Sequence, residues 1–324
     1  MYAIQELQAV VAQTIDSENF IRVPESLYLP IDYAMRQGGK RIRPVLCLMG
    51  CDLFGGNVRK AVKPAIGVEM FHNFTLLHDD IMDNSPLRRG MPTVYKKWNA
   101  NIAILSGDTM FAMAYEYIMQ TEPSLLLPVM KVFNQTAIEI CEGQQFDMDF
   151  ETSSEVGIKD YMGMIRLKTG VLLGGALKIG AIIAGASEKD ADLLYRFGEK
   201  IGIAFQLQDD LLDCWSDVNV FGKVTGTDIS DNKKTFLYLK ALEIANPEQK
   251  KTLLHYFSSK DFDRETKVNA VKSIYETLDM KQHALNEMRS YYNVAMDALN
   301  SISVEDGRKQ ELIKFANKLM DRKY

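Results

Sequence analysis

The chain has 324 residues, 47% of them hydrophobic and 25% charged, which is enough apolar material for one large domain or two ordinary ones. A formal net charge of -5, with no basic patch interleaved with aromatics, argues against nucleic-acid binding as the main task. Four cysteines are scattered apart from Cys47 and Cys51, whose i, i+4 spacing reads as helix packing, so a reduced, cytoplasmic setting is expected.

Residues 1–20 hold Glu6 and Asp16 and no Lys or Arg, which fits neither a secretory n-region nor an Arg-rich transit peptide. Apolar residues then recur at helical spacing almost throughout, as in Leu193, Leu194, Phe197 and Ile201, while sustained period-two alternation is hard to find. Breaks fall at Pro24 and Pro30, Gly38-Gly39, Gly55-Gly56, Ser85-Pro86, Gly90 to Pro92, Glu122-Pro123, Gly222 to Gly226 and Pro247. The pattern predicts an all-α fold of roughly ten or more helices. The Gly- and Ala-rich stretch 170–186 suits close helix approach better than it suits an apolar ligand. Its apolar run contains Lys178 and is shorter than the roughly 20 residues a membrane span needs, so a soluble protein is expected. No linker composition divides the chain, and 1–324 reads as a single domain that closes with amphipathic helices after Pro247.

One short acidic pattern occurs twice, as Asp79, Asp80 and Asp83 in DDIMD and as Asp209, Asp210 and Asp213 in DDLLD. At about 100° per helical residue, the first and last Asp of each triplet fall within roughly 40° of one another. A lone DDxxD is as readily a solvated helix face. Here both triplets follow largely apolar runs, and a carboxylate among hydrophobes is costly unless a cation compensates it. Carboxylates supplied one or two per helix, with water and phosphate completing the shell, suit Mg²⁺, so the expected ligand is a diphosphate held by Mg²⁺. Asn84-Ser85-Pro86 ends the first helix, which puts its triplet at a cleft mouth.

Lys40, Arg41 and Arg43 follow a double glycine, and Arg88-Arg89 follow the first triplet. Arginine binds phosphate as a bidentate fork and lysine as a point charge, so two separate basic clusters predict two diphosphates. Further donors are Arg166, Lys168, Thr169, Gln206, Lys223, Lys233 and Lys234. On the helical wheel His72 lies within about 20° of Asp79 and faces the same way, whereas His78 lies off that face.

In this order, GGKRIRP, EMFH…HDDIMDNSPLRRGMPT, LSGDTM, EGQQFD, RLKTG, FQLQDDLLD and GKVTGTDISDNKKT resemble the trans-isoprenyl diphosphate synthases of the polyprenyl synthetase family, from about residue 33 to 235. The resemblance implies one all-α domain around a deep central cavity, in a homodimer. It also implies head-to-tail condensation of isopentenyl diphosphate with an allylic diphosphate held through three Mg²⁺ by Asp79, Asp83 and Asp209, with Asp80 and Asp213 nearby. Lys40, Arg43, His72 and Arg89 are implied to bind isopentenyl diphosphate. Arg88, Lys168 and Lys223 are implied to contact the allylic diphosphate, with Thr169 and Gln206 along the carbocation. Glu142-Gly143-Gln144 departs from the family's usual GGQ-type signature.

In the family an aromatic five residues before the first Asp, here Phe74, limits product length, and position four is the small Thr75. That combination resembles twenty-carbon synthases, with fifteen-carbon and longer-chain products as alternatives. The wheel sets Phe74 about 140° from Asp79, which makes Phe71 a rival floor; should neither stop the chain, the stopper is expected on another helix, around residues 110–114. A class I terpene cyclase and a non-catalytic partner subunit are rival functions, disfavoured by the two complete acidic triplets.

Overall fold

The computed structural model describes residues 1–153, 155–216, 225–259 and 261–320. It is all-α, as the periodicity predicts. The only strands among the described residues are Leu87–Arg88 and Met91–Pro92, an antiparallel pair that joins Leu87 to Pro92 and Arg88 to Met91. Their turn has φ of 54° at Arg89 and 77° at Gly90, the two successive left-handed residues that a tight hairpin requires. The sequence marks this stretch as a break; the hairpin itself was not foreseen.

Internal contacts group the chain into two compact units. The first comprises Met1–Gln135, Gly175–Tyr195 and Ile302–Leu312. Its centre is the helix Val58–Met82, which Asn57 caps by accepting from Arg59 N–H at 3.1 Å. That helix packs on Ile42–Leu53 and Ala100–Ile118 and buries residues all round, including Ile66, Met70, Phe71, Phe74 and Leu77. It stops at Met82, and Asn84 then turns left-handed at φ 52° ahead of Pro86, so the first acidic triplet does sit at a helix end.

The Gly/Ala stretch packs closely, as its composition predicts. A Cβ built on Gly180 would lie 1.9 Å from the Cys47 carbonyl oxygen, and one on Gly50 would lie 2.3 Å from that of Leu177. Backbones of the helices Ile42–Leu53 and Val171–Ile183 therefore touch through these glycines.

The second unit comprises Thr136–Gly174, Arg196–Ser301 and Ile313–Tyr324. Its core includes Tyr161, Ile165, Leu207, Leu211, Leu237, Val271 and Tyr275. Between the helices Ile158–Ile165 and Val171–Ile183 the chain makes a π-helical turn, Arg166–Gly170, a widening that tends to occur at functional sites. Two glycines admit this turn: a Cβ on Gly143 would lie 2.5 Å from Lys168 N, and one on Gly202 would lie 2.6 Å from Gly170 Cα. Lys234, read from sequence as part of a cationic loop, instead donates to the carbonyls of Phe150 and Ser153 at 2.5 Å each and so caps the end of the helix Pro123–Thr152.

Gly180→Ala is expected to destabilise the fold by about 1–3 kcal/mol or more, since the methyl meets backbone that cannot rotate away. A thermal melt unchanged from wild type would show that these two helices do not cross so closely.

Candidate active site

The first triplet is not uniform. Asp80 is buried, at 3% exposure, whereas Asp83 is exposed at the helix C-cap. Arg88, on the hairpin strand, donates to Asp80 Oδ1 from Nε at 2.9 Å and from Nη2 at 2.5 Å, and Nη2 lies 3.6 Å from Asp79 Oδ2. Burial pushes the Asp80 carboxyl above its usual range; Arg88 opposes the shift, and the charges of Asp79 and Asp83 add to it. The helical wheel grouped Asp79 with Asp83 and gave no sign that Asp80 turns inward to an arginine.

The two basic clusters, separate in sequence, meet in space. Arg89 Nη1 donates to the Gly38 carbonyl, and a Cβ on Gly39 would lie 2.8 Å from Arg89 Cζ. Gly38, Gly39 and Arg41 all have positive φ, at 79°, 113° and 48°, which folds this loop back on itself. Arg43 Nη1 lies 3.1 Å from His72 Nε2. A guanidinium can only donate, so Nε2 accepts, and the neutral ring carries its proton on Nδ1. Burial, then the charges of Arg43, Arg89, Arg88 and Arg41, hold the His72 pKa well below the usual histidine value, which agrees with that tautomer. Lys40 is exposed, and its carbonyl accepts from Gln8 at 2.9 Å.

Sequence reasoning missed the carboxylate beneath this cluster. Arg41 Nη1 donates to Glu69 Oε1 at 2.6 Å, with side chains only 9% and 1% exposed, and Asn73 Nδ2 donates to the same oxygen at 3.1 Å. Glu69 and Asn73, two polar residues at i, i+4 within the largely apolar run 64–77, were the available signal.

Phe71 and Phe74 belong to one aromatic cluster with Phe111, Phe133 and Tyr115. Phe74 stacks on Phe111 at 5.1 Å and 13°, and Phe71 contacts Phe74, Phe111 and Phe133 at 5.5–5.6 Å. Phe71 is fully buried and Phe74 is 9% exposed. Thr75 turns its hydroxyl back to the His72 carbonyl at 2.8 Å. Phe111 lies within the stretch 110–114 named from sequence as a further stopper.

In the second unit Lys168, on the π-helical turn, pairs with Asp147 at 2.6 Å, and Thr169 Oγ1 donates to Gln206 Oε1 at 3.3 Å. Asp210 accepts from Tyr161 O–H at 2.5 Å and from Gln206 Nε2 at 3.2 Å. Burial above all pushes the Asp210 carboxyl up to about 7, with Asp209 and Asp213 adding to the rise and the two hydrogen bonds opposing it. Asp213 accepts from the backbone N–H of Asp228 at 3.0 Å and of Thr227 at 3.3 Å. Burial raises Asp213 too, and it raises Asp228 well above the usual range. Tyr161 and Asp228 were not selected from sequence; Asp228 lies within the last of the seven signatures. Lys223 lies outside the described residues.

These donors are suited to a hard divalent cation. All are carboxylate oxygens, neighbouring carboxylates add to the raised proton affinity of Asp80, Asp210 and Asp228, and a bound cation would relieve that crowding. Among the described residues no three His, Cys, Asp or Glu side chains gather tightly enough to hold an ion alone. Carboxylates spaced one or two to a helix suit Mg²⁺, which keeps several waters and binds through one or two carboxylates plus substrate phosphates. No helix among the described residues is long and apolar enough to cross a membrane.

Three similarities bear on this arrangement. A geranylgeranyl diphosphate synthase of Methanosarcina mazei is 37% identical over 323 residues, covering 99% of this chain and 97% of its own. A crystal structure of a geranylgeranyl pyrophosphate synthase matches 100% of both chains with TM-score 0.95 and 42% identity. A polyprenyl synthase of Caulobacter crescentus CB15, solved with calcium and isoprenyl diphosphate, matches 98% of this chain and 96% of its own with TM-score 0.87 and 26% identity. Since the polyprenyl synthetase pattern also spans residues 24–278, the chain belongs to the polyprenyl synthetase family and is a trans-prenyltransferase.

Proposed function

We propose that this enzyme joins isopentenyl diphosphate head-to-tail to an allylic diphosphate and makes geranylgeranyl diphosphate, with residues 1–324 acting as one catalytic domain of a cytoplasmic homodimer. One observation carries the reading. Within the first unit an acidic set, Asp79 to Asp83 with Arg88, stands beside a separate anion-binding set of Arg43, His72 and Arg89. A cyclase ionises one diphosphate and has no use for the second set, and a non-catalytic subunit needs neither.

Asp79, Asp83 and Asp209 would hold Mg²⁺, three ions by the family resemblance, with Asp80 and Asp213 in support. When bound, Mg²⁺ supplies positive charge to the departing pyrophosphate. Arg88, Lys168 and Lys223 add donors to the same diphosphate, stabilising its charge as the allylic C–O bond breaks and the electron pair leaves with oxygen. Thr169 and Gln206 turn oxygen dipoles toward the allylic cation. Lys40, Arg43, His72 and Arg89 orient isopentenyl diphosphate so that its double bond attacks C1 of that cation. Pyrophosphate accepts the proton then lost, so no side-chain base is required.

Incubation with labelled isopentenyl diphosphate, Mg²⁺ and dimethylallyl, geranyl or farnesyl diphosphate is expected to yield a twenty-carbon product. Cyclised hydrocarbons, or no product at all, would refute the reading.

Asp79→Ala and Asp209→Ala are each expected to lower kcat by about 10²–10³-fold with the fold intact, since each removes a carboxylate whose effect is on transition-state charge. Unchanged turnover at saturating Mg²⁺ would remove that residue from the metal site.

Arg43→Ala is expected to raise KM for isopentenyl diphosphate by about tenfold or more while that for the allylic partner barely moves. Equal increases in the two constants would end the division into two diphosphate sites.

Length control should follow the ring stack. Phe74→Ala opens space against Phe111 and is expected to lengthen the product by a five-carbon unit, as read by mass spectrometry. Phe71, wedged against Phe74, Phe111 and Phe133, is expected instead to cost about 3–5 kcal/mol of stability on truncation to Ala. Longer products from Phe71→Ala and not from Phe74→Ala would reverse these assignments.

A further inference from the structure

Tyr161 lies on the helix Ile158–Ile165, which leads directly into the π-helical turn that carries Lys168 and Thr169. Its buried hydroxyl donates to Asp210 Oδ2 at 2.5 Å. The other oxygen of Asp210 accepts from Gln206 Nε2 at 3.2 Å, and Gln206 Oε1 accepts from Thr169 Oγ1 at 3.3 Å. A line of hydrogen bonds thus runs from Tyr161 through Asp210 and Gln206 to Thr169.

The chemistry of this line fixes a direction. With the Tyr161 hydroxyl donating to one oxygen of Asp210, the other oxygen is the acceptor that faces the amide, and an amide has a donor end and an acceptor end. Beside Asp210 the Gln206 amide must present its NH₂, so its carbonyl oxygen is left toward Thr169. Rotation by half a turn would aim the NH₂ at Thr169 and the carbonyl oxygen at a carboxylate, which repels it. Asp210 therefore sets the sense of the amide, and Tyr161 sets Asp210.

We propose that Tyr161 is a positioning residue for prenyl transfer, acting through Asp210 to hold the Gln206 carbonyl oxygen, and not its NH₂, toward the place where the allylic cation forms. This rests on the roles given above to Thr169 and Gln206. An acceptor dipole fixed beside growing positive charge stabilises the transition state more than the ground state, whereas a reversed or mobile amide does so poorly. The step lost is thus ionisation, and substrate affinity is left alone. Tyr161 also ties the helix that leads into the π-helical turn to the helix Glu188–Trp215, which carries Gln206 and Asp210, so the hydroxyl and the amide keep a common reference.

Tyr161→Phe removes one oxygen and keeps the ring in the core. The expected result is a kcat reduced about 10–100-fold, with both KM values and the Mg²⁺ concentration for half-maximal rate within about twofold of wild type. In a Gln206→Leu background the same change should cost nothing further, because the residue through which Tyr161 acts is gone. Asp210→Asn, which keeps the shape but offers Gln206 either end of an amide, should reproduce the kcat loss. Any one of three results overturns the inference: kcat near wild type in Tyr161→Phe, kcat near wild type in Asp210→Asn, or independent losses that multiply in the double variant. A wild-type chain that makes no prenyl diphosphate overturns the functional reading and this inference together; an active wild type with an unaffected Tyr161→Phe overturns the inference alone.

Discussion

Ionised groups set into largely apolar helices must each be compensated within a few ångströms, and this constraint organises the first unit. Glu69 and Asp80 lie on one face-to-interior course of the helix Val58–Met82, and an arginine from another segment reaches each of them, Arg41 to Glu69 and Arg88 to Asp80. Removing one partner from such a pair leaves a buried charge uncompensated, so the pairs act as fixed points for the segments that carry the arginines. The loop 38–41 and the hairpin at Leu87–Arg88 are located in this way. The same carboxylates make the basic cluster tolerable. Burial and the like charges of Arg41 and Arg88 lower the proton affinity of Arg89, while Glu69 and Asp80 raise it. His72 joins the cluster as a neutral acceptor and adds no further positive charge.

The second unit holds Asp210 and Asp213 by different means. Tyr161, Gln206 and the backbone N–H groups of Thr227 and Asp228 donate to them, and all four donors are neutral. Neutral donors orient a carboxylate without cancelling its charge. Burial above all raises the proton affinity of Asp210, Asp213 and Asp228; neighbouring carboxylates add to the rise at Asp210 and Asp228, and the Lys233 charge opposes it at Asp213 and Asp228. Arg88 satisfies the first triplet in part, whereas the hydrogen bonds to Asp210 and Asp213 come from neutral groups.

Local pattern made some of this legible. Helical periodicity, Pro and Gly breaks and the two acidic triplets depend on neighbours within a few residues, and they predicted the all-α fold, the helix end at Met82 and the close approach near Gly180. The family resemblance, not local pattern, grouped Arg43 with His72, which lie 3.1 Å apart, but it did not foresee their direct contact. Features set by contacts distant in the chain were out of reach. Tyr161 and Asp210 are 49 positions apart, and Arg41 and Glu69 are 28 apart. The π-helical turn at Arg166–Gly170 leaves no mark in composition, because it arises where Gly143 and Gly202 let other backbone crowd against it. Lys234 looked like a phosphate donor for the same reason: a lysine in a loop reads alike whether it meets an anion or a helix end.

Length control shows how a single-helix argument falls short. The wheel could compare Phe74 with Phe71 only by their angles about one axis, and it favoured Phe71 as the deeper residue. Depth and blocking power differ, however. Phe71 meets three rings and is fully buried, so its surface is already spent on packing. Phe74 keeps some exposure and lies parallel to Phe111, a ring contributed by another helix. Two stacked rings present a broader and stiffer barrier than one, because neither can turn about its χ2 without losing the other's face. A growing apolar chain would then be stopped by a pair of residues 37 positions apart in sequence, of which the motif before the acidic triplet reveals only the first.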